Sequence, residues 1–361
     1  MQTFKPKISG RFWMAVTIMD IAQATGKSYP TVSRALNGHP KISVRTREEI
    51  RAAAHRLGYR PSFAGTALKK GRTGVLAVIV PNLLNPFYAE FLRCFKHAAV
   101  GFDIVAYDYE LCREMETKAL DRLLTGFCDG AAAFISDFCS NSELVEQIYR
   151  MRIPLVTVGT AEYQKYPVDF VGLEGTSLVG INSQLLKVLK LLRRCGRRHL
   201  AVIAGMSSSI NLDQVVERCE EIFQALGFEF QEDRDFLRLD KSSGNPAKDG
   251  FELARQRFAE HPETDLFYVW DCIQTYGVLC AAARAGKDCG TDFDLISSDY
   301  TWVAEYSSVP FYAMNQPLPE MAAACFDFIR RRLAGDWESP QFVKHLKCSV
   351  KYPFQTRQPG E

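Results

Sequence analysis

The sequence lacks the patterns that mark several classes of enzyme and metal protein. It contains no Cys-x-x-Cys pair, no Gly-x-Gly-x-x-Gly, no Gly-x-Ser-x-Gly and no His-Glu-x-x-His. Its six histidines are far apart in the sequence, and none has metal-ligand spacing. The sequence therefore supports no enzymatic activity, and we predict no cofactor and no metal site.

Long apolar runs are also missing. No stretch approaches the roughly 18 apolar residues of a membrane-spanning helix, and the first residues lack the hydrophobic core of a signal peptide. The 11 cysteines are scattered and odd in number, which favours reduced thiols over a disulfide framework. These features predict a cytoplasmic protein with no membrane partner.

Positive charge is concentrated near the N terminus. Residues 1–74 hold 14 Lys and Arg against 3 Asp and Glu, a net charge of +11, whereas the whole chain carries only +2. A basic segment of this kind is typical of nucleic-acid binding. With 361 residues, 47% of them hydrophobic, the chain is long enough for two or three domains.

The basic segment has the pattern of three short helices. Thr17 and Ser28 are suited to cap the first two helices, and Gly26 ends the first one. Ser43 and Gly58 bound a third helix. The pattern is that of a helix-turn-helix, whose second helix enters the major groove of DNA. The outward side chains near the start of that helix are Tyr29, Pro30, Ser33 and Arg34.

This segment resembles the LacI/GalR family of bacterial transcriptional regulators. The matching motifs are Asp20-Ile21-Ala22, Thr31-Val32-Ser33-Arg34-Ala35-Leu36-Asn37-Gly38, Thr46-Arg47-Glu48 and Leu57-Gly58-Tyr59-Arg60-Pro61. We expect Arg34 and Arg60 to anchor phosphates and Tyr29 and Pro30 to face base edges. The full set of predicted DNA-binding residues in this segment is Thr17, Ser28, Tyr29, Pro30, Thr31, Ser33, Arg34, Asn37 and Arg60.

A linker follows at residues 61–73. In the family that the chain resembles, this segment is a hinge helix, which orders on DNA beside its copy from a second subunit and inserts a leucine into the minor groove. Leu68 matches that leucine, and such apolar wedges unstack a base step. Gly65 departs from the pattern of a hinge helix, since glycine has a low helix propensity and weakens a helix that contains it. The alternative is a basic flexible linker.

From Gly74 onward, short apolar strands alternate with amphipathic helices, which predicts two doubly wound lobes. The resemblance implies an all-α helix-turn-helix domain followed by a two-lobed α/β domain of the periplasmic-binding-protein-like class. The implied divisions are a disordered extension at 1–14, with Met14 as an alternative start, a DNA-binding domain at 15–60, the hinge at 61–73 and an effector-binding and dimerisation domain at 74–361. Within the last, the N-lobe is expected at 74–172 and 302–334, and the C-lobe at 173–301 and 335–361.

Ligands of parallel sheets bind at the carboxyl ends of the strands, here between the lobes. The predicted effector-binding residues are Asn85, Phe87, Asp137, Trp270, Asp271 and Asp299. Carboxylates accept hydroxyl hydrogen bonds and aromatic rings cover sugar C–H faces, so the set favours a saccharide. Helix capping or lobe contact is the alternative for Asp271 and Asp299, and core packing is the alternative for Phe87. Trp270 stands where many relatives have asparagine, so the effector is expected to differ from theirs, and loss of the effector response is the alternative.

The sequence therefore predicts a homodimeric repressor that binds a palindromic operator in double-stranded DNA. A small molecule between the lobes would change their angle and, with it, the spacing of the two hinge helices. Two alternatives remain open: a solute-binding protein of a transport system, and a sugar- or nucleotide-modifying enzyme with a basic appendage.

Overall fold

The computed structural model describes residues 16–61, 65, 67, 71–136, 138–159, 168–174, 181–204, 212–239 and 243–352. The chain divides into two compact units, Met1–Thr73 and Gly74–Glu361. The predicted extension at 1–14 lies outside the described residues. No helix in the described part of the chain is long and apolar enough to span a membrane.

The described residues 16–61 of the first unit contain α1 (Ile18–Thr25), α2 (Tyr29–Leu36) and α3 (Val44–Leu57). The predicted caps are confirmed, because Thr17, Ser28 and Ser43 each accept a hydrogen bond from a backbone N–H of the following helix. Gly26 and Gly58 end α1 and α3 with positive φ, at 62° and 71°. The apolar faces meet in a small core of Ile21, Val32, Ala35, Ile50, Ala53 and Ala54.

The second unit alternates strands and helices, as predicted. In chain order its elements are β1 (Val75–Val80), α4 (Pro86–Ala98), β2 (Asp103–Asp108), α5 (Arg113–Leu124), β3 (Gly130–Ala133), α6 (Ser142–Arg150), β4 (Leu155–Gly159), β5 (Asp169–Leu173), α7 (Ser183–Arg194), β6 (Leu200–Ile203), α8 (Leu212–Ala225), α9 (Glu232–Asp235), β7 (Phe236–Leu237), α10 (Pro246–Glu260), β8 (Leu266–Val269), α11 (Cys272–Arg284), β9 (Asp294–Ser297), α12 (Trp302–Glu305), β10 (Tyr312–Asn315), α13 (Leu318–Leu333), β11 (Val343–Leu346) and β12 (Ser349–Lys351).

Two six-stranded sheets define the two lobes. The N-lobe sheet has the order β11-β5-β4-β3-β1-β2, and all its strand pairs are parallel. The C-lobe sheet has the order β12-β10-β9-β8-β6-β7, with β12 antiparallel to β10. The strand β1, next to the edge strand β2, is buried along its whole length, because helices cover both faces of a parallel sheet. The predicted fold class, a helical domain followed by a two-lobed α/β domain, is confirmed.

The positions at which the chain crosses between lobes differ from two of the expected ones. The first crossing follows β5, next to the expected Gly172. The expected crossing at Thr301 is wrong, because β10 still pairs with β9 in the C-lobe sheet and the chain crosses only between β10 and α13. The crossing expected at Ala334 is also wrong, since β11 pairs with β5 in the N-lobe sheet and β12 with β10 in the C-lobe sheet. The lobe boundaries are decided by backbone pairing between strands that are distant in the sequence, and no local sequence pattern predicts such pairing.

Candidate nucleic-acid interface and interlobe site

The start of α1 is held by a reciprocal capping arrangement. The Asp20 N–H donates to Thr17 Oγ1 at 3.4 Å, and Thr17 N–H donates back to Asp20 Oδ2 at 2.7 Å. The Thr17 hydroxyl also donates to Asp20 Oδ2 at 2.8 Å, and the hydrogen bonds that the carboxylate accepts from the Thr17 N–H and hydroxyl keep the pKa of Asp20 below its usual value. The carboxylate therefore stays ionised at the positive end of the helix, where it stabilises the first turn.

The second helix begins with the same chemistry. The Thr31 N–H donates to Ser28 Oγ at 3.4 Å, and the two hydroxyls lie 2.9 Å apart. Pro30 occupies the first turn of α2, where its missing N–H removes no helical hydrogen bond. At the other end, the Asn37 side-chain amide donates to Ser33 O. Thr17, Ser28, Thr31 and Asn37 thus fix the ends of the helices as well as lying on the predicted DNA-binding surface.

Seven of the predicted DNA-binding residues are exposed: Thr17, Ser28, Tyr29, Pro30, Arg34, Asn37 and Arg60. Tyr29 is 50% exposed although it is aromatic, and it begins the helix whose opposite face buries Val32 and Ala35. Ser33 and Thr31 are partly exposed on the same helix. Leu68, the predicted minor-groove wedge, lies outside the described residues.

Arg47, on α3, contacts the loop that precedes this helix. Its guanidinium Nη2 donates to the carbonyl oxygens of His39 and Ile42, both at 3.2 Å. It therefore fixes the loop between α2 and α3. Arg45 and Arg51 on the same helix are exposed.

In the second unit, Asn85 and Asp271 meet across the two lobes. Asn85 lies in the N-lobe immediately before α4, and its Nδ2 donates to Asp271 Oδ2 in the C-lobe at 2.9 Å. Asp271 Oδ1 accepts the N–H groups of Ile273 and Gln274 at the start of α11, at 2.7 and 3.0 Å. Burial of its carboxyl group raises the pKa of Asp271. Asp271 thus makes the helix cap and the lobe contact that sequence reasoning left open.

Asp299 lies close to this contact and is 7% exposed. Gln316, at the second lobe crossing, donates from Nε2 to Asp299 Oδ1 at 3.0 Å. Burial, together with the neighbouring Asp271 carboxylate, raises the pKa of Asp299 to about 7. Two carboxyl groups therefore lie near each other between the lobes, each hydrogen-bonded to a neutral amide.

The aromatic residues predicted for this site pack against neighbouring side chains. Phe87 is buried and contacts Tyr88 and Phe134 edge to face, with ring centroids 5.2 and 5.9 Å apart. Core packing, the alternative left open for Phe87, is therefore observed. Trp270 stands edge-on to Phe236, and its buried indole Nε1–H has no hydrogen-bond partner among the residues that the structure describes. Asp137 lies outside the described residues.

Two residues of the interlobe contact were missed by sequence reasoning. Cys272 Sγ lies 3.1 Å from Asn85 Oδ1, and Glu90 Oε1 accepts the N–H of Trp302 from the other lobe at 3.0 Å. Cys272 directly follows Asp271, so its place after a strand end was an available signal. Nothing in the sequence marks Glu90, which lies in the middle of α4.

Comparison with known proteins gives the two units separate matches. The family described as bacterial regulatory proteins, lacI family, matches residues 17–62, and the periplasmic binding protein-like domain matches residues 189–352. The HTH-type transcriptional regulator DegA of Bacillus subtilis is 27% identical over 331 residues, covering 89% of this chain and 91% of the relative. The chain therefore has a LacI-type helix-turn-helix domain and a periplasmic-binding-protein-like domain, and it is similar to a transcriptional regulator over most of its length.

Solved structures of this fold extend over nearly the whole chain. A Lac repressor dimer bound to operator and the anti-inducer ONPF has a TM-score of 0.66 at 20% identity and covers 94% of this chain and 98% of its own. A transcriptional regulator CelR–cellobiose complex has a TM-score of 0.63 at 21% identity, covering 93% and 98%. The chain is a DNA-binding transcriptional regulator, and the alternative of a transport solute-binding protein is not favoured.

Proposed function

We propose that the protein is a homodimeric repressor in the cytoplasm, that it has no enzymatic activity, and that a small molecule between its lobes modulates its binding to a palindromic operator. The observation that carries the proposal is the exposed side of α2, with Tyr29 and Pro30 in the first turn and Arg34 in the last turn of a helix fixed by its caps and its buried face. The dimer bound to operator in the related Lac repressor supports the pairing of two such helices.

Within this proposal, Tyr29 and Pro30 read the base edges. A tyrosine hydroxyl can exchange hydrogen bonds with a base, whereas proline offers only apolar contact, for instance to a thymine methyl group. We therefore expect relaxed specificity at the base pair that Pro30 meets. Arg34 and Arg60 hold phosphates, and Leu68 unstacks the central base step.

A matched pair of arginine variants tests the DNA-binding surface. An operator is first selected from random DNA with the full chain, and its affinity is then titrated by gel shift. Arg34→Ala should lower the affinity about tenfold or more and reduce the salt dependence of binding. Arg150→Ala makes the same charge change in the second unit, where Arg150 pairs with Glu146, and should leave the affinity unchanged. An unchanged titration for Arg34→Ala would refute the assigned helix.

The proposed effector is a small polyhydroxylated molecule, in keeping with the cellobiose bound by the related CelR. The proposed site residues are Asn85, Phe87, Asp137, Trp270, Asp271 and Asp299. A thermal-shift screen of the full chain against sugars, sugar acids and nucleosides would identify it. A ligand at one hundred times its Kd adds about 2.7 kcal/mol to the free energy of unfolding. A hit from the nucleosides alone would contradict the saccharide class.

A further inference from the structure

Asn85 has both ends of its side-chain amide engaged, and it is 2% exposed. Its Oδ1 accepts the N–H of Phe87 at 2.9 Å, which caps α4, and lies 3.1 Å from Cys272 Sγ. Its Nδ2 donates to Asp271 Oδ2 at 2.9 Å. One side chain of the N-lobe therefore makes two contacts with the first residues of α11 in the C-lobe while capping its own helix.

The electrostatics of this contact favour it. Both α4 and α11 direct their N-terminal ends at it, and helix N-termini carry unpaired N–H groups and partial positive charge. Asp271 places a carboxylate at this meeting point, with one oxygen bonded to the start of α11 and the other to the cap of α4. Separating the lobes would remove the charge-assisted hydrogen bond from Asn85 and return the carboxylate to one helix only.

We propose that Asn85, Asp271 and Cys272 form an interlobe latch that holds the two lobes closed and sets the free-energy cost of opening them. Its regulatory meaning rests on the proposed function, in which the lobe angle controls operator binding. A ligand that uses the Asp271 carboxylate must then replace Asn85 as its partner. Another contact between the lobes, from the Trp302 N–H to Glu90 Oε1, is exposed to solvent and contributes less.

Hydrogen exchange of the full chain tests the latch without DNA or ligand. Asn85→Ser keeps an oxygen that can cap α4 but is too short to reach Asp271. We expect the N–H groups of Ile273 and Gln274, in the opposite lobe, to exchange about tenfold faster, while the N–H of Phe87 keeps its protection. Unchanged exchange at Ile273 and Gln274 would overturn the proposal.

The matched control is Asn182→Ser. Asn182 is likewise a buried asparagine that caps a helix, accepting the N–H groups of Gln184 and Leu185 at the start of α7. Its amide donates to Met314 and Cys348 and makes no contact with Asp271. The control should leave exchange at the start of α11 unchanged. An equal rise of the exchange rate at the start of α11 in both variants would mean that the substitutions destabilise the protein in general, and it would overturn the latch.

A second variant covers the case in which Asn85→Ser does not fold. Asn85→Asp has the same shape and keeps the cap, but it sets a carboxylate against Asp271. Small-angle X-ray scattering should then give a larger radius of gyration than for the wild type, and an equal radius would count against the latch. Because neither measurement involves DNA, failure of the latch and failure of the proposed operator binding can be told apart.

Discussion

Asp299 makes the stability of the second unit depend on pH. Its pKa is raised from an ordinary value of 3.8 to about 7, so the folded protein binds more protons than the unfolded chain between these values. The free energy of unfolding therefore falls as the pH rises from about 4 to about 7. Burying the Asp299 carboxyl group costs less free energy when the group is protonated and uncharged.

Asp299→Asn should remove most of that pH dependence while keeping an oxygen for Gln316. We expect the variant to be more stable than the wild type at pH 8, by up to about 4 kcal/mol, and nearly equal to it at pH 4. Urea unfolding of both proteins at the two pH values measures the difference. A gain in stability that is the same at both pH values would contradict the assignment.

Arg47 and Arg51 lie one helical turn apart on α3 and should respond differently to the same substitution. Arg47→Ala removes two hydrogen bonds to the carbonyls of His39 and Ile42, so we expect the first unit to lose about 1–3 kcal/mol of unfolding free energy. Arg51→Ala changes an exposed side chain and should alter stability by less than about 0.5 kcal/mol. Thermal unfolding followed by circular dichroism compares the two, and equal losses would remove the loop-fixing role of Arg47.

Among the elements, α10 and α11 approach so closely that glycine is required on each. A Cβ on Gly277 would meet Ala247 O and lie 2.6 Å from Phe251 N, and a Cβ on Gly250 would lie 2.8 Å from Gln274 Cα. These obstacles are backbone atoms, which cannot move aside as a flexible side chain can. The pair therefore has a fixed crossing that a single methyl group disturbs.

Gly277→Ala separates helix propensity from packing. Propensity alone predicts a gain of up to about 1 kcal/mol, but the clash predicts a loss of about 1–3 kcal/mol. Ala283→Gly, on the exposed side of α11, is the matched control and should cost about 1 kcal/mol or less. Urea unfolding of the full chain provides the comparison, and a stabilised Gly277→Ala variant would contradict the close approach.

Features decided by residues close together in the sequence could be predicted, whereas several other elements could not. The caps at Thr17, Ser28 and Ser43 were predictable because a side chain and a backbone N–H three residues away decide them. The helix α13 was not predicted, although Leu318, Met321, Ala322 and Cys325 have helical spacing and are buried. The edge strand β11 was also missed, because its residues are exposed or half-buried and lack an apolar pattern.

The same limit applies to the interlobe site. Asn85 and Asp271 were each predictable as residues that follow a strand, since the ends of parallel strands meet at one edge. Their hydrogen bond to each other was not, because it joins two lobes and spans most of the second unit in sequence. The resemblance to a family indicated which residues lie near the cleft, but not that two of them would bond to one another.

At the scale of the whole molecule, a buried ion pair secures the return of the chain to the N-lobe. Arg332 on α13 donates from Nε and Nη2 to the two carboxylate oxygens of Asp169 at 2.9 and 2.7 Å, and Asp169 also accepts the N–H of Phe342 at 2.8 Å. Both side chains are almost fully buried. The hydrogen bonds to Asp169 raise the pKa of Arg332, so its charge must remain compensated.

Asp169→Asn should therefore be costly although it preserves shape, because it leaves the Arg332 charge buried without a counter-charge. We expect a loss of about 3–5 kcal/mol in unfolding free energy. Glu146→Gln disrupts the exposed pair with Arg150 and should cost less than about 1 kcal/mol. Equal losses in urea unfolding would mean that burial of the Arg332–Asp169 pair has no energetic consequence.

The late position of β11 in the chain has a consequence for biosynthesis. The N-lobe sheet begins with β1 but receives its edge strand β11 only after the entire C-lobe sheet except β12 has been made. At bacterial translation rates this delay is on the order of tens of seconds. The core residues of the helix-turn-helix lie within a few dozen positions of one another in the sequence, so they leave the ribosome almost together. The outer edge of β5, in contrast, stays unpaired until β11 has been synthesised. During that interval a nascent chain exposes a strand edge to its neighbours on the same polysome.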